Sequence, residues 1–138
     1  MEGIRKAHDF LTVNAPAPLQ EAGIVAMGFP PSYYEQLAVD YMERRDLLCN
    51  ALEKAGFGVR PPQGAYYVMA DTSRVDPDGD DTAFSMRLIK EFGIGAVPGS
   101  SFYADPDRGR QARKMRFAFP KKLETLQIAA ERLSKLGG

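Results

Sequence analysis

Apolar residues recur along this chain in two alternating rhythms. From Ser32 to Ala55, Tyr34, Leu37, Tyr41, Leu48 and Leu52 fall three, four or seven residues apart. That spacing predicts a long amphipathic helix, with Ser32 as its N-cap and Gly56 ending it. Leu19 to Met27 predicts a short helix opened by Pro18 and closed by Gly28 and Pro30-Pro31. Thr82 to Phe92, with Phe84, Leu88, Ile89 and Phe92 on one side, predicts another that stops at Gly93. Lys121 to Leu136, with Leu123, Leu126, Ala130 and Leu133 facing inward, predicts the last. Period-two runs predict strands at Phe57–Arg60, Ala65–Ala70, Gly95–Val97 and Met115–Phe119. Pro61-Pro62-Gln63-Gly64 is a turn, with Gly64 expected at positive φ. Residues 1–15 show little periodicity, and 98–109 reads as a loop.

Helices interspersed with about four short strands predict an α+β fold. It is a small two-layer domain with helices packed on a short mixed or antiparallel sheet. A length of 138 residues suffices for one core. We divide the chain into residues 1–30, a segment with one short helix, and 31–138, the domain proper.

Composition narrows the function mainly by exclusion. Apolar content of 44%, charged content of 26% and a net charge of +0 describe an ordinary globular surface. Without a basic cluster, nucleic acid is not an expected partner. No apolar run approaches a membrane span, and the N-terminus lacks the apolar region of a signal peptide. A lone Cys49 forms no internal disulfide and suits a cytoplasmic setting.

Several candidate motifs dissolve on inspection. Asp76-Pro77-Asp78-Gly79-Asp80-Asp81 imitates a calcium loop, but Asp81 stands where glycine is needed and Arg87 where glutamate is needed. It reads as a solvated loop that supplies a cap for the next helix. A single histidine, His8, builds no metal site, so none is expected. Gly99-Ser100-Ser101-Phe102 lacks the pattern of a phosphate loop.

One residue resists a bland reading. Arg116 stands in the alternating run Met115-Arg116-Phe117-Ala118-Phe119. An arginine is costly to bury unpaired, so it reaches water or meets an anion. Its planar fork matches a carboxylate with two parallel hydrogen bonds. Upstream lie Pro62-Gln63-Gly64-Ala65-Tyr66-Tyr67 and Ile94-Gly95-Ala96-Val97-Pro98-Gly99-Ser100-Ser101-Phe102-Tyr103. In this order and at these separations, the three segments resemble the C-terminal small domain of class I/II aminotransferases. Those are pyridoxal-phosphate enzymes of the aspartate aminotransferase fold. The resemblance implies amino-group transfer between an amino acid and a 2-oxo acid, with Arg116 holding the substrate's α-carboxylate. It also implies that Gly64, Tyr66 and Phe102 border the substrate. Strand alternation says only that one of Tyr66 and Tyr67 points inward. His8 to Gln20 resembles the segment that links the two domains of such enzymes. There Thr12, Val13 and Asn14 would reach the cofactor site of the partner subunit in a homodimer.

The resemblance spans only the C-terminal third of such an enzyme. No Ser-Lys followed by a glycine-rich, arginine-containing stretch precedes His8, and Ser134-Lys135 lies at the wrong end. The seven lysines, Lys6, Lys54, Lys90, Lys114, Lys121, Lys122 and Lys135, all read as surface. The chain therefore reads as a fragment, with no catalytic residue of its own. The large domain and the pyridoxal 5'-phosphate site would belong to the complete enzyme, and no cofactor is expected on this chain alone. A same-fold lyase or decarboxylase, or a non-enzymatic module binding anions or proteins, is the alternative.

Overall fold

The computed structural model describes residues 1–11 and 15–136. The chain divides into two compact units, 1–37 and 38–138, with the division inside helix α3 (Pro31–Lys54).

The first unit is helical. Helix α1 (Glu2–Leu11) corrects the expectation of an irregular start. Its signal is the short stripe Ile4, Ala7 and Leu11, spaced three and four residues apart. Helix α2 (Ala17–Met27) carries Pro18 in its first turn, where a missing N–H costs nothing, and ends at Gly28. Neither helix buries a residue, and Phe10, Leu11, Leu19, Ile24, Val25 and Met27 are all exposed. Pro31 opens α3, so the expected cap Ser32 lies just inside the helix.

The second unit holds the core. Strand β1 (Tyr67–Asp71), strand β2 (Val97–Pro98) and strand β3 (Lys114–Ala118) form an antiparallel sheet in the order β1-β3-β2. The register pairs Val68 with Phe117, Ala70 with Met115 and Met69 with Arg116. On the other edge, Val97 pairs with Arg116. Helix α4 (Asp81–Arg87), helix α5 (Pro106–Gln111) and helix α6 (Leu123–Leu133) complete the elements. Val68, Ala70, Met115 and Phe117 join Leu48 and Leu52 of α3, Phe57, Phe84 and Leu88, and Leu126 and Leu133 of α6 in one buried cluster. The Phe57 ring meets Phe117 edge-on at 5.5 Å between centroids. The predicted α+β class with helices on an antiparallel sheet is what forms.

Some boundaries differ from expectation. Phe57–Arg60 makes no strand; only Gly58 bridges Asp71. The predicted helix 82–92 is α4 followed by one wide turn, Leu88–Phe92, which Gly93 ends in the left-handed conformation at φ 64. The expected loop 98–109 contains a tight 3-10 turn, Gly99–Phe102, and the start of α5. Gly64 is not at positive φ; that conformation falls on Ala65, at φ 64. Along α3 the predicted stripe is buried only toward its end: Leu48 and Leu52 are buried, while Tyr34 and Leu37 are exposed. No described helix is long and apolar enough to cross a membrane.

Candidate functional site

Strand alternation divides the sheet into a core face and an open face. The register places Tyr67, Met69 and Asp71 of β1 with Ala118, Arg116 and Lys114 of β3 on the open face. Val97 joins them from β2. Because β3 is central, Arg116 has a neighbour on each side, Met69 and Val97.

Arg116 is half-buried there. Its guanidinium carbon lies 4.7 Å from the centroid of the Phe102 ring and 5.3 Å from that of Tyr67. Both distances suit a cation–π contact. Among the described residues the guanidinium has neither a hydrogen bond nor an ion pair. Its N–H groups, the donors that grip a carboxylate, thus have no acceptor among the described residues.

The nearby charges are already matched. Lys114 Nζ meets Asp71 Oδ2 at 2.9 Å on the same open face. Burial pushes the Asp71 carboxyl up, but hydrogen bonds from Ser73 and Lys114 outweigh it and hold it at about 2. Lys114 thus departs from the surface reading of the lysines: it is half-buried and paired. Between β1 and the 58–65 segment runs a groove of about 600 Å³, lined by Arg60, Pro62, Tyr67, Met69, Asp71 and Lys114 among others.

The 3-10 turn that carries Phe102 is held tightly. A Cβ on Gly99 would lie 2.2 Å from the Lys114 carbonyl oxygen, so the turn sits against β3 where only glycine fits. The buried Asp81 carboxylate accepts the Ser100 N–H at 2.7 Å and the Ser100 hydroxyl at 2.9 Å.

Of the sequence-predicted site residues, Arg116 and Phe102 come together. Tyr66 is exposed and meets Tyr67 edge-on at 5.7 Å; it is Tyr67 that reaches Arg116. Gly64 has open space where a side chain would stand. Thr12, Val13 and Asn14 lie outside the described residues. Sequence reading missed Tyr67 as the inward ring, and it missed Asp81. The first follows from parity once Met69 is seen to face Arg116. The second had a signal in the adjacent pair Asp80-Asp81, since one helix start needs one cap. Asp80 is that cap, accepting from the Thr82 and Ala83 N–H groups, which frees Asp81 to turn inward. The Asp76–Asp81 loop is therefore not wholly solvated, because Asp76 and Asp81 are buried.

A pyridoxal-phosphate cradle needs a lysine enclosed against the cofactor aldehyde. Lys6, Lys54, Lys90, Lys121, Lys122 and Lys135 are exposed, and Lys114 is taken up by Asp71. The described residues thus present an arginine without an acidic partner and do not by themselves fit the cofactor.

Comparison with known proteins accords with this geometry. The family profile "Aminotransferase class I and II" matches residues 1–133. Methionine aminotransferase of Escherichia coli is 38% identical over 133 residues, covering 96% of this chain and 33% of the relative. Kynurenine–oxoglutarate transaminase of Dictyostelium discoideum is 33% identical over 150 residues, covering 96% and 34%. The solved N-succinyldiaminopimelate aminotransferase of Mycobacterium tuberculosis superposes with a TM-score of 0.81 at 32% identity, covering 98% of this chain and 34% of that one. The chain spans about a third of the length of these relatives. It belongs to the class I and II aminotransferase family.

Proposed function

We propose that this member of the class I and II aminotransferases is the small-domain portion of an enzyme that moves an amino group between an amino acid and a 2-oxo acid. In that enzyme, Arg116 anchors the substrate's α-carboxylate. The observation that carries this reading is the half-buried guanidinium, set beside two rings and without an anionic partner among the described residues. The names of the two curated relatives compared above favour amino-group transfer over lyase, decarboxylase or non-enzymatic roles.

The parts divide by chemistry. Pyridoxal 5'-phosphate supplies the electron sink when bound, and it is held by the large domain. This chain binds and orients. Arg116 fixes the carboxylate, and Tyr67 and Phe102 pack beside its guanidinium. Lys114, neutralised by Asp71, does not compete for the anion. Residues 1–30 make the contacts with the large domain and the second subunit of a homodimer. Within them, Thr12, Val13 and Asn14 reach the partner's cofactor site. Gly64 and Tyr66 border the substrate entrance. The enzyme works in the cytoplasm, where the buried thiol of Cys49 stays reduced.

In the full-length enzyme, Arg116→Ala removes one member of a desolvated charge pair. It is expected to lower kcat/KM by about two to four decades. A loss under about threefold would put the carboxylate elsewhere. The 138-residue chain alone is expected to have no transaminase activity. After mixing with low-micromolar pyridoxal phosphate and borohydride, no single lysine should be labelled stoichiometrically.

A further inference from the structure

We propose that Asp81 is a positioning residue for the Arg116 clamp, acting through Ser100 and the turn that carries Phe102. This rests on the carboxylate role given to Arg116 above.

Asp81 is only 1% exposed, yet it does not cap its own helix. Asp80 does that, through the Thr82 N–H at 3.1 Å and the Ala83 N–H at 3.0 Å. Asp81 spends both carboxylate oxygens across the fold instead. Oδ2 takes the backbone N–H of Ser100 and Oδ1 takes its hydroxyl, at 2.7 and 2.9 Å. A buried carboxylate needs such donors, and charge-assisted bonds of this length are strong and directional. One turn further along α4, the Ser85 hydroxyl donates to the Ala96 carbonyl at 2.8 Å. The same helix therefore pins the chain on both sides of β2.

The pinned turn has little freedom left. Gly99 is pressed on the Lys114 carbonyl oxygen, and a Cβ on Gly109 of α5 would lie 2.6 Å from the Ser100 Cα. Two glycines thus seat the turn by close approach, and Asp81 fixes it by hydrogen bonds. Two residues after Ser100 comes Phe102, whose ring stands 4.7 Å from the Arg116 guanidinium carbon. Phe102 is itself 51% exposed, so burial of its ring does not hold it there. The turn does. Releasing Ser100 would let the ring leave, and the long Arg116 side chain would lose a neighbour that holds its fork in place.

The test uses the 138-residue chain, labelled with nitrogen-15. The Arg116 Nε–Hε signal, assigned with Arg116→Lys, reports the ring through its ring-current shift. Sodium pyruvate serves as the carboxylate probe, against sodium chloride at equal concentration. Wild type is expected to show a ring-shifted signal that moves with pyruvate and not with chloride. Asp81→Ala should shrink the ring shift to the part that Tyr67 supplies and weaken pyruvate about fivefold or more, while Val68 and Phe117 amides keep their positions. Asp81→Asn, which keeps one acceptor oxygen, should fall between. Phe102→Leu should weaken pyruvate similarly, and adding Asp81→Ala to it should cost less than about twofold more. If Asp81→Ala does not fold, Ser100→Ala removes one of the two bonds and should give a partial loss. An unchanged ring shift in these variants, or an equal Asp81 effect with and without Phe102, overturns the proposal. A wild-type Arg116 signal indifferent to pyruvate would refute the carboxylate role instead. The ring shift alone would then judge the positioning.

Discussion

On one side of strands β1 and β3, Val68, Ala70, Met115 and Phe117 are buried among helices. On the other side, one residue away along the same backbone, stand Tyr67, Met69, Asp71, Lys114 and Arg116. The first set is wholly apolar, and its partners are supplied from within the chain. The second set holds one matched ion pair and one cation matched only by rings. If Arg116 holds a carboxylate as proposed, the period of two keeps stability and recognition apart within ten residues of strand. Apart from the Asp71–Lys114 pair, substitutions on one face should therefore move one property and spare the other.

The largest expected effect lies on the core face. Phe117→Ala empties space beside Phe57 and should cost about 3–5 kcal/mol in urea unfolding. A cost under about 1 kcal/mol would mean that the helices collapse into the gap. Gly99→Ala comes next, at about 1–3 kcal/mol, because its Cβ would meet the rigid Lys114 carbonyl oxygen. It is also the substitution that should breach the separation. By shifting the Phe102 turn, it should weaken pyruvate binding as well, measured by the Arg116 side-chain signal. Arg116→Ala should change stability by less than about 0.5 kcal/mol while abolishing the pyruvate-dependent shifts of the neighbouring Met69 and Val97 amides. A large loss of stability there would make the open face structural after all.

The smallest effect is one of pH. The Asp71 carboxyl is held at about 2 in the folded chain, against about 3.9 when unfolded. As pH falls, the unfolded state takes up the proton first. The stability that Asp71 contributes is thus complete above about pH 4 and drains away toward pH 2. Asp76, pushed up by burial, works in the opposite direction. The difference in Tm between wild type and Asp71→Asn cancels Asp76. It should be present at pH 7 and shrink steadily between about pH 4 and 2.

The faces were legible in the sequence unequally. Met115-Arg116-Phe117 announces its strand because a charge between two large apolar residues fits only alternation. Phe57–Arg60 shares that look, but Gly58 bridges Asp71 and the chain then leaves β1. Alternation reports which residues want burial, not whether a neighbour is there to pair with. Helix α1 was missed because its stripe is three residues long and buries nothing. The positive φ fell on Ala65, not Gly64, because the turn's geometry overrode local preference. For Tyr67 and Asp81 the local signals went only part of the way: alternation left Tyr66 or Tyr67, and Asp80-Asp81 left a spare carboxylate, but their partners lie 49 and 19 residues away in sequence.

The strand order has a consequence in time. A ribosome makes β1 first, then β2, and β3 after both, yet β3 is the strand that both of the others pair with. Until residues 114–118 have left the exit tunnel, Val68 and Ala70 have no sheet to belong to, and Val97 has no edge to join. The sheet is therefore assembled late, in one step, by the strand that brings Arg116 with it. A nascent chain halted before Lys114 would display two orphaned strands, the kind of surface that chaperones recognise.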